Sequence, residues 1–89
     1  MEFEWDPAKA RENEAKHKVS FSEATEVFAD NLSSSAPDPD HSLDEQRFVI
    51  FGRTLKDRHL VVAFTDRGGK LRLISAREMT RRERQAYEQ

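Results

Sequence analysis

The chain has no cysteine, which excludes a disulfide framework and any thiolate metal site and leaves nothing that ties it to an oxidising compartment. Its three histidines are scattered, at 17, 41 and 59, and no HExxH or Cys-His pattern accompanies them. No metal and no cofactor is therefore expected. No apolar run approaches the roughly eighteen residues of a membrane span, and the acidic start MEFEWD is unlike a secretory leader. These absences predict a cytoplasmic protein without a membrane partner. Apolar residues make up 36% of the chain and charged residues another 36%, so one thin core lies under a heavily charged surface. At 89 residues a single domain over 1–89 is expected, with a small margin of stability that partner binding can raise.

What is present is organised around Leu60 to Arg77, LVVAFTDRGGKLRLISAR. A β-branched run reaches a Gly-Gly turn and returns as a second run with arginines between its apolar residues, the pattern of a hairpin. Gln46 to Thr54 has strand composition, and the polar stretch Leu55 to Arg58 turns it into the hairpin, giving three consecutive antiparallel strands. Both faces of the strand from His59 are apolar, so it is central. In the last strand, strict alternation sends Leu71, Leu73 and Ser75 one way and Arg72, Ile74 and Ala76 the other.

Upstream, Phe3 and Trp5 share one face of a short strand that ends at Asp6-Pro7, a preferred N-cap followed by a preferred first helical residue. The helix predicted from there to about His17 has a poor apolar stripe and belongs mostly to the surface. Ser20 and Glu23 stand in capping-box spacing, and Phe21, Ala24, Val27 and Phe28 recur at helical spacing, so a second, amphipathic helix lies on the sheet. Asn31 to Asp44, rich in serine and proline, is long for a linker and suits either a short edge strand or a functional loop. Thr80 and Glu83 repeat the capping-box spacing and open a short basic helix ending near Tyr87. The order β-α-α-β-β-β-α describes an α+β domain with helices packed on an antiparallel sheet.

Charge is divided along the chain. From Glu23 to Glu45 there are seven acids and no lysine or arginine, whereas from Arg67 to Arg84 seven bases stand against two acids. A local basic field is what polyanion binding needs, although a solvated helix with salt bridges has the same composition.

The segments FEWDPAKARENEAKHKVSFSEATEVFAD, DEQRFVIFG and FTDRGGKLRLISAREMTRRE closely resemble the BrnT family, the ribonuclease toxins of type II toxin-antitoxin pairs. The resemblance covers nearly the whole chain with three motifs in order. It implies a RelE-like fold, an endoribonuclease that arrests growth, and a partner, a BrnA-type ribbon-helix-helix antitoxin that occludes the toxin and binds operator DNA. DNA is thus reached only through the complex, and RNA is the substrate. A non-catalytic, antitoxin-binding co-repressor of the same fold is the alternative. One departure is Lys18, where the family usually has glycine. Glycine suits the left-handed residue that closes a helix, so either Lys18 adopts that conformation or the turn is built differently.

RNA can be cut without metal, because its 2′-hydroxyl attacks the adjacent phosphorus once the phosphate is oriented, a proton removed and the developing charge neutralised. Arginine suits the electrostatic part. The resemblance places Arg67, Arg72 and Arg77 in the family's motifs, with Arg72 and then Arg77 the candidates for the scissile phosphate and Arg67 either an RNA contact or a solvated residue at the turn. Pairing with a carboxylate of the acidic segment, such as Glu45, is the structural alternative for Arg72 and Arg77. His17 is the candidate for proton transfer, or an ordinary helix C-terminal residue favoured by the dipole. Glu45 is a possible general base or a salt-bridge partner of the strand that Arg47 helps open, and Arg47 is a candidate RNA contact. Lys16 can meet phosphate or solvate the helix end, and Trp5 can stack on a base or anchor the first strand.

Overall fold

Asp6 accepts a hydrogen bond from the Ala8 amide at 2.8 Å, and Pro7 opens helix α1, Pro7–His17, at the predicted boundaries. A computed structural model describes residues 1–38 and 46–88. α1 ends at Lys18, which takes the left-handed conformation with φ 61° and donates its amide to the Glu14 carbonyl at 2.9 Å. Lysine thus occupies a position where glycine would be free of strain. Ser20 caps α2, Phe21–Ala24, by accepting from the Glu23 amide, and the chain tightens into a 3₁₀ turn over Thr25–Ala29. The amphipathic helix expected here is therefore half α and half 3₁₀, and it buries Phe21, Ala24 and Val27.

Among the described residues five strands follow the order β1-β5-β4-β3-β2, comprising β1 Glu2–Glu4, β2 Ser34–Pro37, β3 Phe48–Arg53, β4 His59–Arg67 and β5 Lys70–Glu78. β4 is central, and β3, β4 and β5 form the expected antiparallel meander. Gly68 and Gly69, with φ 61° and 92°, make the two-residue turn between β4 and β5 that side chains would strain. Helix α3, Arg81–Tyr87, carries a complete capping box between Thr80 and Glu83.

The α+β class stands, with two corrections. The sheet is mixed, because β1 pairs parallel to β5 with Phe3 opposite Leu71. Helices and three strands separate β1 from β5 in the chain, so no hairpin fixes their relative direction. The element order also gains β2, paired antiparallel to β3 inside the serine- and proline-rich stretch. All four β2 residues are exposed, and such an edge strand needs no apolar alternation to signal it.

The core sits between one sheet face and the N-terminal helices, built from Val19, Phe21, Ala24, Val27, Ile50, Leu60, Val62, Leu73 and Ala76. A chain of rings, Phe3 to Phe28 at 5.1 Å, Phe28 to Phe64 at 5.1 Å and Phe64 to Phe48 at 5.6 Å, ties β1, the 3₁₀ turn, β4 and β3 together. Gly52 lets the 3₁₀ turn approach β3, since a Cβ there would stand 2.8 Å from the Val27 Cβ.

One irregularity decides which residues face away from that core. Ala63 pairs with Ser75 but Phe64 pairs with Leu73, so Ile74 is an extra residue in β5, a β-bulge. Leu73 and Ala76 are consequently both buried in the core, although they are three residues apart. The strict alternation expected for β5 therefore fails after Leu73. Without the bulge, a strand that buries Leu73 would also send Ser75 and Arg77 inward.

Candidate active site

The face freed by the bulge carries two adjoining depressions. One, of about 290 Å³, is lined by Asp38, Arg47, Val49, Val61, Ala63, Ile74, Ser75 and Arg77. The other, of about 260 Å³, is lined by Lys9, Glu12, Asn13, Lys16 and His17 of α1 together with Ile74 and Ser75. The bulge residues Ile74 and Ser75 are common to both, so the two depressions adjoin there and are together called the groove, lined by α1 on one side and by the sheet on the other. Among the described residues four cations, Lys9, Lys16, Arg47 and Arg77, and one imidazole meet two carboxylates along it. A larger depression, of about 480 Å³, lies between Leu32, Phe51 and α3. Its walls are mostly apolar and hold no histidine, so the chemistry favours the groove.

Asn13 fixes the α1 side of the groove. Its amide donates to the carbonyls of Val19, at 3.0 Å, and Ala76, at 2.9 Å, while its oxygen accepts from the Ala76 amide at 3.0 Å. β1 covers the edge of β5 only through Arg72, and the Asn13 side chain substitutes for a strand further along. This explains why α1, otherwise largely exposed, buries a polar residue. His17 and Lys16 in the last turn of α1 are thereby held beside Ser75.

Arg77 lies in a fixed bidentate pair. Its Nη1 donates to Glu83 Oε1 at 2.8 Å and its Nη2 to Oε2 at 2.9 Å, and Nη1 also reaches the Glu78 carbonyl at 3.1 Å. Hydrogen bonding to this guanidinium, assisted by the Thr80 amide, holds the Glu83 carboxyl down at about 2, and the Arg77 pKa is raised in return. α3 is anchored at its far end as well, where the Tyr87 hydroxyl donates to Asp30. Burial, followed by that bond, pushes the Tyr87 phenol up to about 12.

The other candidates are dispersed. Arg72 lines neither depression. It donates to Glu4 at 2.8 Å across the β1–β5 pair, so both arginines have carboxylate partners, but from outside the acidic segment. Arg67 stands exposed at the start of the hairpin turn. Trp5 packs edge-on against Phe21 at 5.8 Å and leans on the core. Glu45 and His41 fall outside the described residues, and His59 is buried against Tyr87. Three acids of the acidic segment brace the turn between β3 and β4. Glu23 takes Arg58 at 2.8 Å and Thr54 at 3.0 Å, Glu26 accepts the Leu55 amide, and Asp30 accepts the amides of Leu32 and Arg53.

Sequence reasoning missed Lys9, Ser75 and Glu83. Lys9 is one of several solvated residues of a polar helix, and Ser75 reaches the groove only through the bulge, which leaves no mark in the composition. Glu83 does carry a signal, since its capping-box spacing marks a cap and a cap carboxylate can serve a second donor. Among the described residues no three metal-ligating side chains cluster, and no helix is long and apolar enough to cross a membrane.

A family model described as "Ribonuclease toxin, BrnT, of type II toxin-antitoxin system" matches residues 5–83. The fold is similar to that of the crystal structure of the Brucella abortus ribonuclease toxin BrnT, with a TM-score of 0.67 at 24% identity over 91% of this chain and 99% of that one. Comparison with curated proteins gives no match.

Proposed function

The chain belongs to the BrnT family of ribonuclease toxins of type II toxin-antitoxin systems, and from that premise we propose that it cuts RNA without metal, in the groove between α1 and β5. The observation that supports this reading is that Arg77 and His17, sixty positions apart in the chain, line adjoining depressions that share Ile74 and Ser75.

In this mechanism the scissile phosphate sits against Arg77, with Arg47 and Lys16 on the flanking backbone. The 2′-oxygen forms a bond to phosphorus as its proton leaves to a base, the charge of the pentavalent species is met by the guanidinium, and the bond to the 5′-oxygen breaks as that oxygen takes a proton. His17 serves one of the two proton transfers, and Glu45 is the candidate for the other. Arg72 and Arg67, further along the hairpin, hold RNA beyond the cut, and Trp5 supplies a ring edge near the first strand. The products are a 2′,3′-cyclic phosphate and a 5′-hydroxyl.

Membership of the family brings a cognate antitoxin. We assign it to the BrnA-type ribbon-helix-helix class, which covers the toxin and carries the complex to operator DNA. Cleavage of a purified RNA in excess EDTA, with the product ends identified, tests the chemistry. Cyclic phosphate ends are expected, whereas 5′-phosphate ends or a strict need for a divalent ion would overturn the mechanism.

A further inference from the structure

We propose that Glu83 is the positioning residue of Arg77, so that α3 is a working part of the groove. This rests on the reading of the groove as the cleavage site.

A guanidinium has five N–H donors arranged as two forks. Glu83 occupies the fork formed by Nη1 and Nη2, at 2.8 and 2.9 Å, and the Glu78 carbonyl takes the second Nη1 hydrogen at 3.1 Å. Among the described residues no acceptor takes the Nε hydrogen or the second Nη2 hydrogen. Those two point along one edge of the plane and match two oxygens of a phosphate. The pair therefore leaves Arg77 with one whole fork for substrate while removing its rotational freedom.

Glu83 is itself fixed. Its Oε1 accepts from the Thr80 amide at 2.8 Å and its own amide donates to the Thr80 hydroxyl at 3.1 Å. A capping box thus locks a carboxylate, and the carboxylate locks the arginine. Arg77 lines the groove, whereas Glu83 lines the depression between Leu32, Phe51 and α3, so the carboxylate holds the guanidinium without itself lining the groove. The Arg77 side chain is 41% exposed, and without this grip it would spread over several rotamers. The opposite role, a carboxylate that must leave before phosphate can enter, predicts the reverse sign for the same substitution.

The test is a double-mutant cycle on RNA cleavage with Glu83→Gln and Arg77→Ala, read as kcat and KM separately. Glu83→Gln is expected to lower kcat by about tenfold or more while KM moves by less than about threefold. In the Arg77→Ala background the same change should alter cleavage by less than about twofold, because Glu83 acts through Arg77. Glu83→Asp, which keeps a carboxylate at the cap but is one methylene shorter, should lose as much as Glu83→Gln.

A second readout needs no turnover. The Arg77 Nε–H resonance of the intact protein should shift when a 2′-deoxy-substituted, uncleavable oligonucleotide is added, and should broaden in Glu83→Gln. Wild-type or faster cleavage by Glu83→Gln, an equal loss in the Arg77→Ala background, or an Nε–H signal indifferent to Glu83 would each overturn the proposal. Wild-type cleavage by Arg77→Ala would instead remove the reading of the groove itself.

Discussion

At the level of single residues, the two arginines of β5 show how far type and spacing lead. Both were legible as candidates, since a guanidinium suits phosphate recognition and the resemblance places both in the family's motifs. Which of them borders a groove was not legible, because it depends on a register shift at Ile74, three residues upstream of Arg77. Arg77 has a partner whose ionisation responds to pH. The Glu83 carboxyl lies at about 2 in the folded chain against 4.5 as a free group, so its contribution is complete above 4.5 and disappears as the pH falls toward 2. At pH 7, Glu83→Gln should cost about 1–2 kcal/mol, a figure reduced to allow for solvent around the half-exposed Arg77. The stability gap between the two proteins should close between about pH 4.5 and 2 in acid-unfolding curves. A gap that stayed constant across that range would remove the ion pair as its source. Lys18 teaches the same lesson from the backbone. The Lys-His end of α1 was readable, but only the structure shows lysine accepting φ 61°.

At the level of elements, caps and turns were the most readable features. Asp6-Pro7, the Ser20 and Thr80 caps and the Gly68-Gly69 turn each act through one or two side chains at fixed offsets, so the local sequence suffices. The Asn31 to Asp44 stretch was readable only as an edge strand or a loop, and the parallel pairing of β1 and the bulge at Ile74 were not readable, because each is decided by a partner strand. Asn13 belongs with these, as a polar residue on a polar helix whose importance comes from the unpaired edge of β5. Asn13→Ala should destabilise the protein by about 2–3 kcal/mol, since it orphans a buried amide and two carbonyls. Asn13→Asp should do no better, because a carboxylate cannot donate to Val19 and Ala76. Thermal unfolding of both variants measures this. A change below about 0.5 kcal/mol for Asn13→Ala would mean that water replaces the side chain at the strand edge.

For the whole molecule, the division of charge along the chain becomes a division of labour. Glu23, Glu26 and Asp30 are spent on bracing the β3–β4 turn, which leaves the cations of α1, β5 and Arg47 to set the field of the groove. The acidic total charge of -2 therefore says little about affinity for RNA. If the groove holds two to four phosphates, log Kd for a single-stranded, uncleavable RNA should rise with log salt at a slope of about 1.5–3. A slope near zero would place the RNA elsewhere, on an apolar surface.

In the proposed mechanism cutting happens in this groove and depends on where Arg77 points, and a matched pair of charge deletions separates that from diffuse attraction. Cleavage of one RNA by wild type, Arg77→Ala and Arg81→Ala should be measured in EDTA after each variant is shown to fold. Arg81 is an exposed base at the start of α3, outside the groove, so both variants lose one positive charge. Loss of about a hundredfold or more for Arg77→Ala, with Arg81→Ala within about threefold of wild type, is the expected result. Equal, small losses for both would contradict the account and leave only diffuse electrostatic attraction to RNA.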